Sequence, residues 1–158
     1  MLPQRRIRHA RGYLALGMAA EAEAELARIE GPDASSLEVE TLRLAALHEQ
    51  EKWPAVSALA GRLVRAQPGE AGLWITWAYA TRRADSLAAA EEILREAEAL
   101  HPADATIQFN LGCYACQRGD LVAAGSRVDR AIALDDKFIA LAATDPDLAP
   151  LRASRPIS

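Results

Sequence analysis

The sequence repeats its apolar pattern at an interval of 34 residues. Ala124 lies 34 positions after Ala90, which in turn follows Val56 and Ala22 at the same interval. A second apolar set obeys the same interval and consists of Val128, Leu94, Ala60 and Leu26. A fixed period of this length is typical of tandem units that cannot bury their apolar faces alone and therefore stack on one another.

Each repeated unit has the spacing of two helices. Leu121, Ala124, Val128 and Ala131 recur at three and four residues, so they form one apolar stripe on one helix. A second apolar segment precedes each such stripe, as in LWITWAYA at 73–80, and a short polar turn separates the two. Because proline cannot continue a preceding helix, Pro68 and Pro102 end their units. The sequence therefore predicts an all-α fold of stacked helix pairs.

These residues make the chain resemble the tetratricopeptide repeat (TPR) family. The resemblance is most complete in the fourth copy, at Leu111, Gly112, Gly119, Leu121, Ala124, Val128 and Ala131. It covers residues 3–136 and implies a right-handed superhelical stack of four helix-turn-helix repeats. The expected repeats are about 3–36, 37–70, 71–104 and 105–136.

Residues 137–158 are expected to form a C-terminal cap and tail. Phe138, Ile139 and Leu141 can cover the apolar face that the fourth pair leaves open, as a terminal cap must do. Asp145 followed by Pro146 suits the start of a short second helix through Leu148 and Leu151. We expect the last six residues, 153–158, to fray.

The resemblance also implies a function. In TPR proteins the first helix of each repeat lines a concave groove that holds a peptide or helix of a partner protein. The corresponding positions here are Gln4, Ile7, Arg11, Leu14, Thr41, Ala45, His48, Glu49, Ile75, Tyr79, Arg82, Arg83, Thr106, Phe109, Cys113, Cys116 and Gln117. The set combines aromatic and aliphatic side chains with arginine, which is a composition suited to protein interfaces.

The charge of this predicted groove is opposite to that of the whole chain. The chain carries a net charge of -4, whereas the groove holds Arg11, Arg82 and Arg83 against Glu49. We therefore expect a partner segment with acidic side chains beside an apolar anchor, and the anchor would rest on Tyr79 or Phe109. The alternative is that Arg82 and Arg83 are solvated residues at a helix end, where cations suit the helix dipole.

A CxxC pair, Cys113 and Cys116, raises the alternative of a redox- or metal-responsive protein. Thiols of the thioredoxin type depend on a helix amino terminus to lower their pKa, but these two lie in the middle of a predicted helix. A structural zinc site needs four ligands, and the chain has no other cysteine. We expect both cysteines to act as small apolar side chains.

Several other classes are excluded or disfavoured by the sequence. At 51% hydrophobic and 25% charged residues, the chain has enough apolar material for a core. It lacks a basic stripe for nucleic acid, an apolar stretch that could span a membrane and any motif of a common enzyme or cofactor site. The amino-terminal RRIRHAR loosely resembles a secretory signal, but Gly12 and Gly17 interrupt the apolar region that follows it.

The resulting hypothesis is a cytoplasmic, non-enzymatic adaptor or scaffold that needs no cofactor and binds a protein or peptide. A secretion-type chaperone that holds an unfolded client in the groove is the second hypothesis. The third is the redox- or metal-responsive protein that would use Cys113 and Cys116.

Overall fold

The computed structural model describes residues 2–155, and within that range the chain is helical and contains no strand. Ten α-helices follow one another within residues 2–155. They are α1 (Pro3–Ala15), α2 (Ala19–Ala27), α3 (Leu37–Glu49), α4 (Trp53–Ala66), α5 (Ala71–Ala84), α6 (Leu87–Leu100), α7 (Ala105–Gln117), α8 (Leu121–Leu134), α9 (Phe138–Thr144) and α10 (Ala149–Ser154). Short 3-10 helices occupy Gly31–Ser35 and Pro146–Leu148. The predicted all-α fold of stacked helix pairs is confirmed.

The helix starts follow from local side-chain capping. The side chains of Ser36, Ser86, Asp104 and Asp120 each accept a hydrogen bond from the backbone N–H three residues later, at the beginnings of α3, α6, α7 and α8. Such caps satisfy N–H groups that have no partner inside the helix. None of the helices in residues 2–155 is long and apolar enough to cross a bilayer.

Three of the four turns inside the helix pairs use the left-handed backbone region. Gly17, Glu51 and Gly119 have φ values of 72°, 54° and 88°, and they occupy equivalent positions of the 34-residue period. Glycine adopts this region without steric cost, whereas Glu51 adopts it with a Cβ present. The exact limits of the four repeats at 36, 70 and 104 stay a prediction.

Close approach of helices explains the small residues of the repeat. A Cβ added to Gly112 on α7 would lie 3.0 Å from Val128 Cγ2 and 3.3 Å from the carbonyl oxygen of Ala124, both on α8. A Cβ on Gly61 of α4 would lie 3.1 Å from the Trp77 ring of α5. Glycine therefore lets the helices approach within and between pairs.

The core is divided into three apolar clusters along the stack. One lies among α1, α2 and α3, a second joins α3, α4 and α5, and the largest extends from α4 to α10. Trp74 belongs to the largest cluster and is 1% exposed. Its indole Nε1 donates a hydrogen bond of 2.9 Å to the carbonyl oxygen of Pro68.

The C-terminal cap differs in detail from the sequence expectation. Phe138 is buried as expected, but Ile139 and Leu141 are 41% and 45% exposed. Leu148 and Leu151 of the expected second helix are buried, because the chain turns at Asp145, whose side chain caps the 3-10 helix, and continues into α10. The cap therefore consists of two short helices, and the second one follows Asp145 and Pro146, as the sequence predicts.

The end of the described chain is held in place. Ala153 and Ser154 belong to α10, and Arg155 donates hydrogen bonds to the carbonyl oxygen of Gly125 and to Asp129, at 3.1 Å and 2.9 Å. The expected fraying is therefore wrong for residues 153–155. Residues 156–158, to which the same expectation applied, lie outside the described residues.

Candidate functional site

Residues of the first helices α3 and α5, with Trp53 at the start of α4, meet on one surface, which we call the first-helix face. Three aromatic rings meet there. His48 of α3 stacks on Tyr79 of α5 with ring centroids 5.8 Å apart, and Trp53 lies 5.2 Å from His48 and 5.3 Å from Tyr79. His48 and Tyr79 are exposed and Trp53 is half-buried. The rings therefore present apolar surface to the outside of the protein.

Arg83 lies directly on this ring cluster. Its guanidinium carbon is 3.5 Å from the centroid of Tyr79 and 5.3 Å from that of Trp53. A guanidinium over an aromatic face is attracted by the ring quadrupole, so the rings restrict where the cation can lie. Within residues 2–155 Arg83 forms no ion pair. The face thus holds an exposed cation that is positioned by rings and not neutralised by a carboxylate.

The adjacent residue, Arg82, has a different environment. Its two terminal nitrogens donate to the two carboxylate oxygens of Asp147, at 2.6 Å and 3.0 Å. The hydrogen bond to Asp147 is the main cause that raises the pKa of Arg82. The guanidinium also lies 5.3 Å from the ring centroid of Tyr114. Arg82 is therefore already neutralised within the chain, in a paired, planar geometry.

A pocket of about 350 Å³ lies between the two arginines and the cap. It is lined by Tyr79, Arg82, Arg83, Asn110, Cys113, Tyr114, Asp145, Pro146 and Asp147. The turn at residues 145–147 closes the pocket and is fixed on both sides. Asp145 accepts a hydrogen bond of 2.9 Å from the backbone N–H of Asp147, and Gln117 donates one of 2.8 Å to the Asp147 carbonyl oxygen.

Solved structures of other proteins have the same arrangement of helices. TTC0263, a thermophilic TPR protein from Thermus thermophilus, is 20% identical and superposes with a TM-score of 0.67 over 96% of this chain and 81% of that one. The present chain has a TPR fold. MamA from Desulfovibrio magneticus RS-1 is 16% identical, with a TM-score of 0.79 over 96% of this chain and 84% of that chain.

A third structure with the TPR fold is that of YrrB, which is described as a TPR protein with an unusual peptide-binding site. It is 17% identical, with a TM-score of 0.67 over 92% of this chain and 70% of that chain. No protein-family model matches the sequence, and a comparison with curated proteins finds no match either. The likeness therefore concerns the TPR fold.

Most of the groove positions expected for the TPR fold are accessible. Gln4, Arg11, Thr41, Ala45, His48, Glu49, Tyr79, Arg83 and Gln117 are exposed, and Leu14, Ile75, Arg82 and Thr106 are half-buried. The structure brings His48, Tyr79 and Arg83 into contact. Arg11 lies on α1 and is paired with Glu38, so it does not join this cluster.

Four predicted groove residues have buried side chains, and for them the structure corrects the prediction. Ile7 packs into the cluster among α1, α2 and α3, and Phe109 lies against Phe138 of the cap with ring centroids 4.9 Å apart. Cys113 and Cys116 belong to the large cluster beneath the cap. For the three residues of α7, the physical reason is that Phe138 of α9 and the turn at residues 145–147 lie against this helix, whereas Ile7 packs between α1, α2 and α3.

The site also contains residues that the sequence analysis did not assign to it. Asn110 lies one turn before Cys113 on α7 and lines the pocket. Trp53, Tyr114, Asp145 and Asp147 join the site through contacts with the two arginines and the rings. Trp53 follows the 34-residue period, so its burial was foreseeable, whereas no sequence signal links Asp147 to Arg82.

The environment of Cys113 does not favour redox or metal chemistry. Burial is the main cause that raises the pKa of its thiol, and the carboxylates of Asp145 and Asp147 raise it further. The Cys113 sulfur and oxygens of these two aspartates lie within 4.8 Å of one another. However, metals bind the thiolate, and the burial that raises the pKa of this thiol disfavours that form. Arg82 also donates to both oxygens of Asp147.

The raised pKa of Cys113 predicts a loss of stability at alkaline pH. An unfolded thiol ionises at about pH 8.5, so above that pH the unfolded chain releases a proton that the folded chain retains. The contribution of the Cys113 thiol to the free energy of unfolding is fully present below about pH 8.5. It declines by about 1.4 kcal/mol per pH unit as the pH rises above that value. We expect urea unfolding between pH 8 and 10 to show a steeper decline for the wild type than for Cys113→Ala. Equal slopes would contradict the assignment.

Proposed function

We propose that the chain is a non-enzymatic adaptor or scaffold of the cytoplasm, which works without a cofactor and binds an acidic segment of a partner protein on the first-helix face. The observation that carries this proposal is Arg83. Its guanidinium is held on Tyr79 at 3.5 Å, beside a pocket of about 350 Å³, and lacks an ion-pair partner in residues 2–155. An arginine that is already positioned loses little side-chain entropy when a carboxylate binds.

The rings next to Arg83 supply the second half of the proposed recognition. His48, Trp53 and Tyr79 offer an aromatic surface on which an apolar side chain of the partner can rest. Tyrosine, tryptophan and arginine are the residues that most often carry binding energy at protein interfaces. The exposed positions Thr41, Ala45 and Glu49 lie on α3 and extend the proposed surface past His48.

The proposed partner segment needs a carboxylate for Arg83 but none for Arg82. Arg82 already donates hydrogen bonds to both carboxylate oxygens of Asp147. Asn110 lines the same pocket, and an asparagine amide can both donate to and accept from the backbone of a bound segment. That YrrB, of the same fold, has a peptide-binding site supports a peptide-like ligand here.

A position-specific cross-linking experiment tests where the partner binds. A photoreactive amino acid replaces Ala45, which is exposed on α3, or Ala58, which is exposed on α4. The two residues are matched in size and exposure, but α4 is the second helix of its pair. After purification of a partner by affinity capture, illumination of the reconstituted complex is expected to cross-link position 45 and leave position 58 unlinked. Cross-linking through position 58 alone would contradict the proposal.

A further inference from the structure

A second pocket lies away from the first-helix face, among α6, α7 and α8. Its volume is about 330 Å³, and it is lined by Arg95, Glu98, Ala99, Pro102, Gln108, Arg127 and Arg130. Three arginines and one glutamate leave this lining with an excess of positive charge, although the whole chain carries -4. The charge of this pocket is therefore not a consequence of the overall composition.

One wall of the pocket is a fixed hydrogen-bond network. Gln108 is 1% exposed and donates a hydrogen bond of 2.7 Å to Glu98. Arg127 forms an ion pair with Glu98, and the same nitrogen, Nη1, donates to the Gln108 side-chain oxygen at 2.9 Å. Glu98 and Gln108, the two partners of Arg127, are also hydrogen-bonded to each other. The guanidinium of Arg127 is therefore positioned before any ligand binds.

The other two arginines are also positioned by single hydrogen bonds. Nη2 of Arg95 donates to Glu91 at 2.8 Å, and Nη2 of Arg130 donates to the carbonyl oxygen of Pro102 at 2.9 Å. In the part of the chain that the structure describes, the second terminal nitrogen of Arg95, Arg127 and Arg130 has no hydrogen-bond partner. Guanidinium donors thus remain available on all three residues.

The three cations also influence one another. Burial lowers the pKa of Arg127, and the neighbouring charges of Arg95 and Arg130 lower it further. Like charges at this separation repel, and an anion bound among them would relieve the repulsion. Glu91 and Glu98 pair with Arg95 and Arg127, whereas Arg130 has no carboxylate partner in the described residues, so the lining keeps an excess of positive charge.

We propose that the pocket among α6, α7 and α8 binds the phosphate group of a small molecule through Arg95, Arg127 and Arg130. A phosphate dianion presents several oxygens in a tetrahedral arrangement, so it can accept from guanidinium groups that approach from different sides. A carboxylate offers two oxygens in one plane and a single charge. This site is separate from the first-helix face, and it does not depend on the function proposed for that face.

Titration calorimetry at constant ionic strength tests the site with inorganic phosphate, phenyl phosphate and acetate as probes. We expect saturable binding of inorganic phosphate at one site with a dissociation constant of about 1 mM or below. Two or three charge-assisted hydrogen bonds supply the free energy for this affinity. Acetate should bind at least about tenfold more weakly. Tighter binding of phenyl phosphate than of inorganic phosphate would identify an organic phosphate as the ligand, and equal binding would identify the inorganic ion.

The variant Arg130→Gln removes one cation from the pocket without disturbing the network of Arg127. It is expected to weaken phosphate binding about tenfold, which corresponds to the loss of one charge-assisted hydrogen bond. The matched control is Arg62→Gln, because Arg62 is an arginine of α4 with 69% exposure and lies outside the pocket. No saturable phosphate binding below about 10 mM, equal binding of acetate, or equal weakening by the two variants would overturn the proposal.

Discussion

Replacement of Trp74 by alanine is expected to lower the free energy of unfolding by about 3–5 kcal/mol. The side chain is 1% exposed and packs in the cluster that extends from α4 to α10, with its ring 5.9 Å from that of Trp77. Alanine would leave a cavity between neighbouring helix pairs, and stacking between pairs is the main source of stability in a repeat fold. The indole hydrogen bond to Pro68 would also be lost.

Tyr79→Ala is the matched control for this experiment, because it removes another large ring from the same helix. Tyr79 is 38% exposed, so its loss leaves little cavity and is expected to cost no more than about 1 kcal/mol. Urea unfolding followed by far-ultraviolet circular dichroism measures both changes. Equal losses in the two variants would contradict the placement of Trp74 between the pairs.

The helices and their pairing were predictable because they depend on local, periodic information. Apolar spacing of three and four residues specifies one face of a helix, and the 34-residue interval repeats that face along the chain. The interval also aligns Gly17 and Gly119 at turns that need a left-handed backbone. Each of these features can be read from residues that are close in sequence or related by one fixed period.

The details of the site could not be predicted in the same way. The position of Cys113 or Phe109 on α7 specifies a face of that helix, but it does not specify what packs over that face. Here the cap covers it, because the chain turns at Asp145 and buries Leu148. The bond between Arg82 and Asp147 joins residues 65 positions apart, and no periodic signal connects them.

The second large effect is expected when Arg82 and Arg83 are replaced one at a time. From the sequence, both were expected to bind an acidic partner segment. Arg82→Gln removes the two hydrogen bonds to Asp147 and leaves a half-buried carboxylate without its cation. We expect it to lower the free energy of unfolding by about 1–3 kcal/mol. The cap and the pocket wall at Asp147 would be loosened by this change.

Arg83→Gln is expected to act on binding instead. Arg83 is exposed and forms no ion pair within residues 2–155, so its replacement should change the melting temperature little. Loss of its cation should lower the affinity for the partner by about tenfold or more, because the proposed carboxylate would lose its charge-assisted hydrogen bond. The weakening should be larger at low than at high ionic strength, since salt screens exposed charges.

The measurement that tests the central claim most directly is therefore a comparison of Arg82→Gln and Arg83→Gln in two assays, thermal melting and affinity for a purified partner at low salt. The two variants remove the same charge from adjacent residues of α5, so each controls for the other. We predict that Arg82→Gln lowers the melting temperature and that Arg83→Gln lowers the affinity with an unchanged melting temperature. Full affinity of Arg83→Gln for that partner at low salt would contradict the proposed binding surface.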